Sequence, residues 1–168
     1  MSTFYAQPYD PSANGFYFVS ADEFHAASAC LRNAYGDPVE EFELQFIDGE
    51  AIDAELAGAL GVHQGNIAAF IEATDGWDER EKRVLIIAAR ELGYVIDPAD
   101  ADPDAFDIDI YDGLRMRELA ELFVDDGLFG DIPENLAAYL DMDAIARDLA
   151  MDYAETTIAG ERLIYRSA

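Results

Sequence analysis

Residues 97–113, DPADADPDAFDIDIYDG, hold seven Asp in seventeen positions and no base. Crowded carboxylates can bind a divalent cation, work as acid–base pairs across a cleft, or present fixed negative charge to a basic partner. A calcium loop of the EF-hand type needs D-x-D-x-D-G and a Glu at its twelfth position. Counted from Asp100 the three acids fit, but Ala105 stands where Gly is required and Tyr111 where Glu is required. Counted from Asp107 the glycine comes one place late, at Gly113. Weak, adventitious cation binding is therefore the expectation. Paired carboxylates have no diagnostic value in a chain with 36 acids. G-x-S-x-G, P-loop and H-E-x-x-H patterns are absent. His25 and His63 lack spaced partners, Cys30 reads as a small core residue, and Trp77 reads as a packing anchor. No catalytic, cofactor-binding or metal-ligating residue is assigned.

The third kind of chemistry agrees with the whole-chain charge. The 168 residues carry 36 acids and 10 bases, a net charge of −26, yet 51% are hydrophobic, with ten Phe and nine Tyr. Such a chain buries too much apolar surface to be an acidic disordered tail. Residues 1–61 hold 11 acids and 1 base, 62–96 hold 6 and 4, and 97–168 hold 19 and 5. Both ends are strongly acidic and the middle is nearly balanced. A single cysteine rules out a disulfide within the chain. No apolar run follows a basic patch at the N-terminus and none approaches ~18 residues, so secretion and membrane spanning are not expected, and the cytoplasm is. The surface should repel nucleic acid and anionic lipid and be drawn to basic clefts, less so as salt rises. Duplex DNA carries one charge per ~1.7 Å, so 26 charges correspond to roughly 44 Å or about 13 base pairs. A dimer would match about twice that length. Salt adaptation is the competing reading, since one Lys against nine Arg and abundant Asp also suit a high-salt cytoplasm. A metal-dependent enzyme using an Asp cluster is a third.

The elements that must carry these charges follow from periodicity. TFYA (3–6) and GFYFVS (15–20) predict strands, joined by an irregular loop. Ser20 followed by Glu23 predicts a capping box opening a helix over 21–34, with Phe24, Ala27, Cys30 and Leu31 inward. EFELQF (41–46) alternates, with Phe42, Leu44 and Phe46 inward. Helical spacing follows over 50–60 (Ile52, Leu56, Leu60), 65–73 (Ile67, Phe70, Ile71) and 77–92, the last ending at Gly93. Within the Asp-rich stretch, FDIDIY (106–111) predicts a strand with Phe106, Ile108 and Ile110 on one face and Asp107 and Asp109 on the other. The helix at 114–126 turns Met116, Leu119, Ala120 and Phe123 inward and ends at Gly127. Pro133 occupies a first helical position, 142–150 forms another helix, and 152–158 pairs with 161–166 around Ala159-Gly160. The expected fold is α+β in three lobes: 1–61 with a three-stranded antiparallel sheet and a helix, 62–96 helical, and 97–168 with helices and a small antiparallel sheet.

Helix neighbours at i+3 or i+4 advance ~4.5–6 Å, while successive phosphates of one DNA strand advance ~3.4 Å. Acidic helix faces joined by outward strand acids thus approach the spacing of a phosphate strand. The candidate phosphate-mimicking carboxylates are Asp104, Asp107, Asp109, Asp112, Glu118, Glu121, Asp125, Asp126, Asp131, Glu134, Asp141 and Asp148. Asp141 and Asp148, seven apart, are expected on one helix face.

One segment carries a family resemblance. GLFGDIPENLAAYLDMDAIARDL (127–149) sets out Gly127, Gly130, Pro133, Tyr139, Asp141, Arg147, Asp148 and Leu149 in the order of the recurring segment of the ArdA antirestriction family. The N-terminal FYA, the GFYF before an acidic helix, and EEFELQFIDGE also resemble that family's opening lobe. Ala146 departs from it, standing where a Gly commonly precedes R-D. The resemblance implies a non-enzymatic inhibitor, without cofactor, encoded by mobile elements. It implies an elongated homodimer of three-lobed chains that occupies the DNA groove in the methyltransferase core of Type I restriction-modification enzymes. Nucleic acid itself and membranes are not expected as partners.

Overall fold

Alternating apolar residues build the first sheet of the computed structural model, which describes residues 1–167. β1 (Thr3–Pro8) lies between β2 (Phe16–Phe18) and β3 (Phe42–Asp48), all antiparallel. Register places Phe4 opposite Phe18 and Phe46, and Ala6 opposite Phe16 and Leu44. Because side chains alternate along a strand, this register sends all six to one face. Phe4 is fully buried there, its ring 5.6 Å from Phe18, 5.2 Å from Phe46 and 6.1 Å from Phe70. The opposite face carries Tyr5 against Tyr17.

Ser20 caps α1 (Ala21–Cys30) by accepting from the Glu23 amide. The expected reciprocal bond is displaced by one residue, since the Glu23 carboxylate accepts from the Val19 amide. α1 ends four residues before the expected limit at 34. Phe24 is its only buried residue, and Cys30 is exposed, contrary to expectation. The helix stops after Cys30 because Leu31 is already extended. Position 30 therefore lies in a last turn that meets no partner surface.

α2 (Ala51–Ala59), α3 (Ile67–Thr74) and α4 (Glu79–Ile86) complete the layer beneath the sheet. α4 opens with an Asp78–Glu81 capping box and runs on into a π-helical turn, Ile87–Glu91, where the expectation was one regular helix. Gly93, at φ +77°, adopts the left-handed conformation that ends it. The segments read as first and central lobes share this core, since Phe4 of β1 meets Phe70 of α3. By contact density the chain divides into two units, Met1–Ala105 and the remainder from Phe106.

The loop after β1 is held by one carboxylate. Asp10 accepts from the Ser12 amide at 2.8 Å, the Ser12 hydroxyl at 2.7 Å and the Asn33 side-chain amide at 2.9 Å. The Asn33 bond first, then those from Ser12, hold its carboxyl below the usual value of 3.8. The ionised form is the bonded one, so the order it imposes is complete above about pH 4 and is lost as pH falls through the lowered folded value. Amide exchange at Ser12 should be slow at pH ~5 and approach the unprotected rate towards pH ~2 after correction for intrinsic exchange. Asp10→Asn should abolish that dependence.

In the second unit, β4 (Ile108–Asp112) pairs with β6 (Glu161–Ser167), which pairs with β5 (Ala154–Ile158), all antiparallel. Ala159 and Gly160, at φ +52° and +81°, form the two-residue turn between β5 and β6 that the sequence indicated. α5 (Met116–Asp125) lays Leu119 and Phe123 on a cluster with Tyr153 and Ile164, which Tyr111 and Leu149 border. At its end the Gly127 amide bonds to the Val124 carbonyl and the Leu128 amide to the Phe123 carbonyl. This is the Schellman arrangement, and it places Gly127 at φ +74°. α6 (Glu134–Ala137) is a single turn. Pro133 precedes it as the cap rather than as its first helical residue, its backbone being extended (ψ 137°). α7 (Met142–Leu149) follows.

Candidate functional site

Eleven of the twelve candidate carboxylates are exposed, and the twelfth, Asp109, is half-buried. Asp104 belongs to the first unit, on a 3-10 turn at Pro103–Ala105. The other eleven belong to the second. Asp107 and Asp112 flank or end β4, Glu118, Glu121 and Asp125 lie on α5, and Asp126, Asp131 and Glu134 follow it. Asp141 immediately precedes α7 and Asp148 lies in its last turn.

Among the twelve, Asp109, Glu118, Glu121 and Asp141 have structural partners. Asp109 was expected to point outward, but it shares a strand face with Tyr111, whose ring packs on Phe123 and Tyr153. Ile108 and Ile110 on the other face are also buried, so neither face of β4 is a free one. Asp109 sits at the rim, its side chain 47% exposed, 3.2 Å from Arg166 directly across the ladder. The Arg166 guanidinium lies over the Tyr153 ring. Burial first, then Tyr153 and Asp109, raises the Tyr111 hydroxyl above its ordinary value, so it adds no anion near neutral pH. Glu118 accepts from the Arg115 amide and caps α5. Asp141 is the N-cap of α7, its Oδ1 accepting from the Ala144 amide at 3.0 Å. It therefore stands before the helix instead of sharing a helical face with Asp148. Glu121 accepts from Arg117.

Asp143 carries no local sequence signal of its role. It lies in the first turn of α7 and pairs with Arg117 at 2.8 Å. An i,i+4 link from Arg117 to Glu121 was legible in the spacing; the second link, across 26 residues, needed the fold. Together Glu121 and Asp143 raise Arg117 further above its ordinary value.

Two cations are withdrawn from the surface. In the first unit Lys82 and Arg83 are buried, Lys82 against Asp53 and Arg83 against Glu79, while Arg90 pairs with Glu55 and Glu91. Exposed carboxylates on both units still outnumber the exposed bases. Among the described residues no group of three His, Cys, Asp or Glu is placed to hold a metal ion. No helix among them is long and apolar enough to cross a membrane. Comparison with known proteins supplies no relative: no family model matches the chain, and neither does any curated protein.

Proposed function

We propose that this protein is a DNA-mimicking antirestriction inhibitor that fills the duplex groove of a Type I restriction-modification enzyme, in its methyltransferase core, and blocks it stoichiometrically without catalysis. It would act in the cytoplasm as a homodimer, with no cofactor. The resemblance of residues 127–149 to the ArdA segment supplies the target. One observation supports the physics: the second unit carries 15 acids and 5 bases, and all of those acids but Asp109 are exposed. A groove lined with Lys and Arg is built to meet anions, and sequence-independent affinity for DNA lies mostly in phosphate contacts. Preformed carboxylates compete for those cations without reading bases. Enzymes of different recognition sequence should therefore be inhibited alike.

The test is competition. The protein is titrated into a Type I methyltransferase bound to a labelled duplex. Release of the duplex at a fixed stoichiometry, weakening steeply with salt, is the expected result. Retention of the duplex at saturating protein and low ionic strength would overturn the proposal. A chain that loses its structure below about molar salt would instead be salt-adapted.

A further inference from the structure

A phosphate mimic should gain nothing from a cation among its carboxylates, yet one guanidinium lies in the middle of them. Arg117 of α5 donates from Nε to Glu121 Oε1 at 3.1 Å and from Nη1 to Asp143 Oδ1 at 2.8 Å. Its side chain is 56% exposed, so it is not there to satisfy a buried acid. α5 and α7 lean on the same cluster, through Leu119 and Phe123 from one and Leu149 from the other. Apolar contacts of this kind are non-directional, so they fix the setting of each helix less sharply than directed bonds do. The acids on the two outer faces repel, which favours a shift of one helix against the other. Two hydrogen-bonded links radiating from one planar fork oppose it, because the guanidinium fixes the direction of each bond.

Resting on the proposed function, we infer that Arg117 is a positioning residue: it sets Glu121 and Asp143 on two sides of one guanidinium and so fixes the carboxylates of α5 and the acidic first turn of α7 at a single spacing. One negative charge is given up locally. In return the anions are ordered before the partner arrives, and ordering them is otherwise a cost of binding.

The inference predicts an unusual sign. Arg117→Gln makes the protein more acidic, so a partner that merely counts charge should bind it more tightly. If Arg117 positions these carboxylates, displacement of labelled duplex from the methyltransferase should instead weaken by about three- to tenfold, the scale of two exposed ion pairs. Arg162→Gln is the control, since it removes the same charge from β6 and not from either helix, and should tighten binding or leave it unchanged. Asp143→Asn cuts the same link from the other side without altering α5, and it keeps the test open should Arg117→Gln fail to fold. In an Asp143→Asn background the link is already gone, so adding Arg117→Gln should no longer weaken displacement. A purely structural role would not produce that reversal. Tightening by Arg117→Gln equal to that of Arg162→Gln, with normal displacement by the wild-type protein, would overturn the inference alone. Failure of the wild type to displace duplex would remove the proposed function, and the inference with it.

Discussion

Changing Asp107, Asp125, Asp126, Asp131, Glu134 and Asp148 together to their amides should weaken displacement of duplex by roughly 10- to 10⁴-fold. An exposed ion pair contributes about 0.2–1 kcal/mol, so six contribute about 1–6 kcal/mol, and each 1.4 kcal/mol is about tenfold in affinity. All six are exposed and serve neither as caps nor as ion-pair partners. Asp107→Asn alone should cost less than about fivefold. Loss of binding from one such change would show a localised hot spot and contradict a distributed mimic. The salt dependence of the six-fold variant should also flatten, as fewer ionic contacts form.

Stability should move the other way. Asp125 and Asp148 lie in the last turns of α5 and α7, where negative charge opposes the helix dipole. Amides there should stabilise each helix by about 0.3–1 kcal/mol. A variant that is more stable yet binds less would show that these charges are kept at a cost to the fold. Thermal unfolding of the variant beside its competition titration measures both effects.

The second large effect concerns the first unit. Lys82→Met should destabilise it by about 3–5 kcal/mol, because it leaves a buried carboxylate without its counter-ion. Lys82 Nζ lies 2.7 Å from Asp53 Oδ1, with the two side chains only 10% and 9% exposed. The other carboxylate oxygen receives only the Ser2 hydroxyl, at 3.2 Å. A hydroxyl cannot replace an ammonium in balancing a desolvated charge. Adding Asp53→Leu to Lys82→Met should recover most of the loss, since a buried ion pair exchanged for apolar groups is often neutral or better. Trp77, the one tryptophan, belongs to this unit, so its fluorescence in a urea titration follows the unit separately. A small loss in the single variant would mean that water reaches the pair.

Much of the architecture was legible because it rests on local rules. The alternation of Phe42, Leu44 and Phe46, the cap at Ser20, the glycines after α4 and α5, and the Ala159-Gly160 turn each state a backbone geometry within a few residues. Errors arose where a partner surface decides. Helical spacing placed Cys30 on an inward stripe, but the helix ends there and no neighbour covers it. Strand alternation sent Asp109 outward, but it cannot reveal that both faces of β4 are covered. Spacing joined Asp141 to Asp148, but the chain uses Asp141 as a cap.

The candidate surface divides along the same line. From the sequence came the amount of charge, its concentration at both ends of the chain, and most of the residues that carry it. Only the tertiary structure decided what each cation does. Lys82 is turned inward onto Asp53, Arg166 is set across from Asp109, and Arg117 is held between Glu121 and Asp143. The reason is range. Secondary structure depends on near neighbours and net charge on composition alone, whereas an ion pair spanning 26 or 29 residues exists only after the chain has closed on itself.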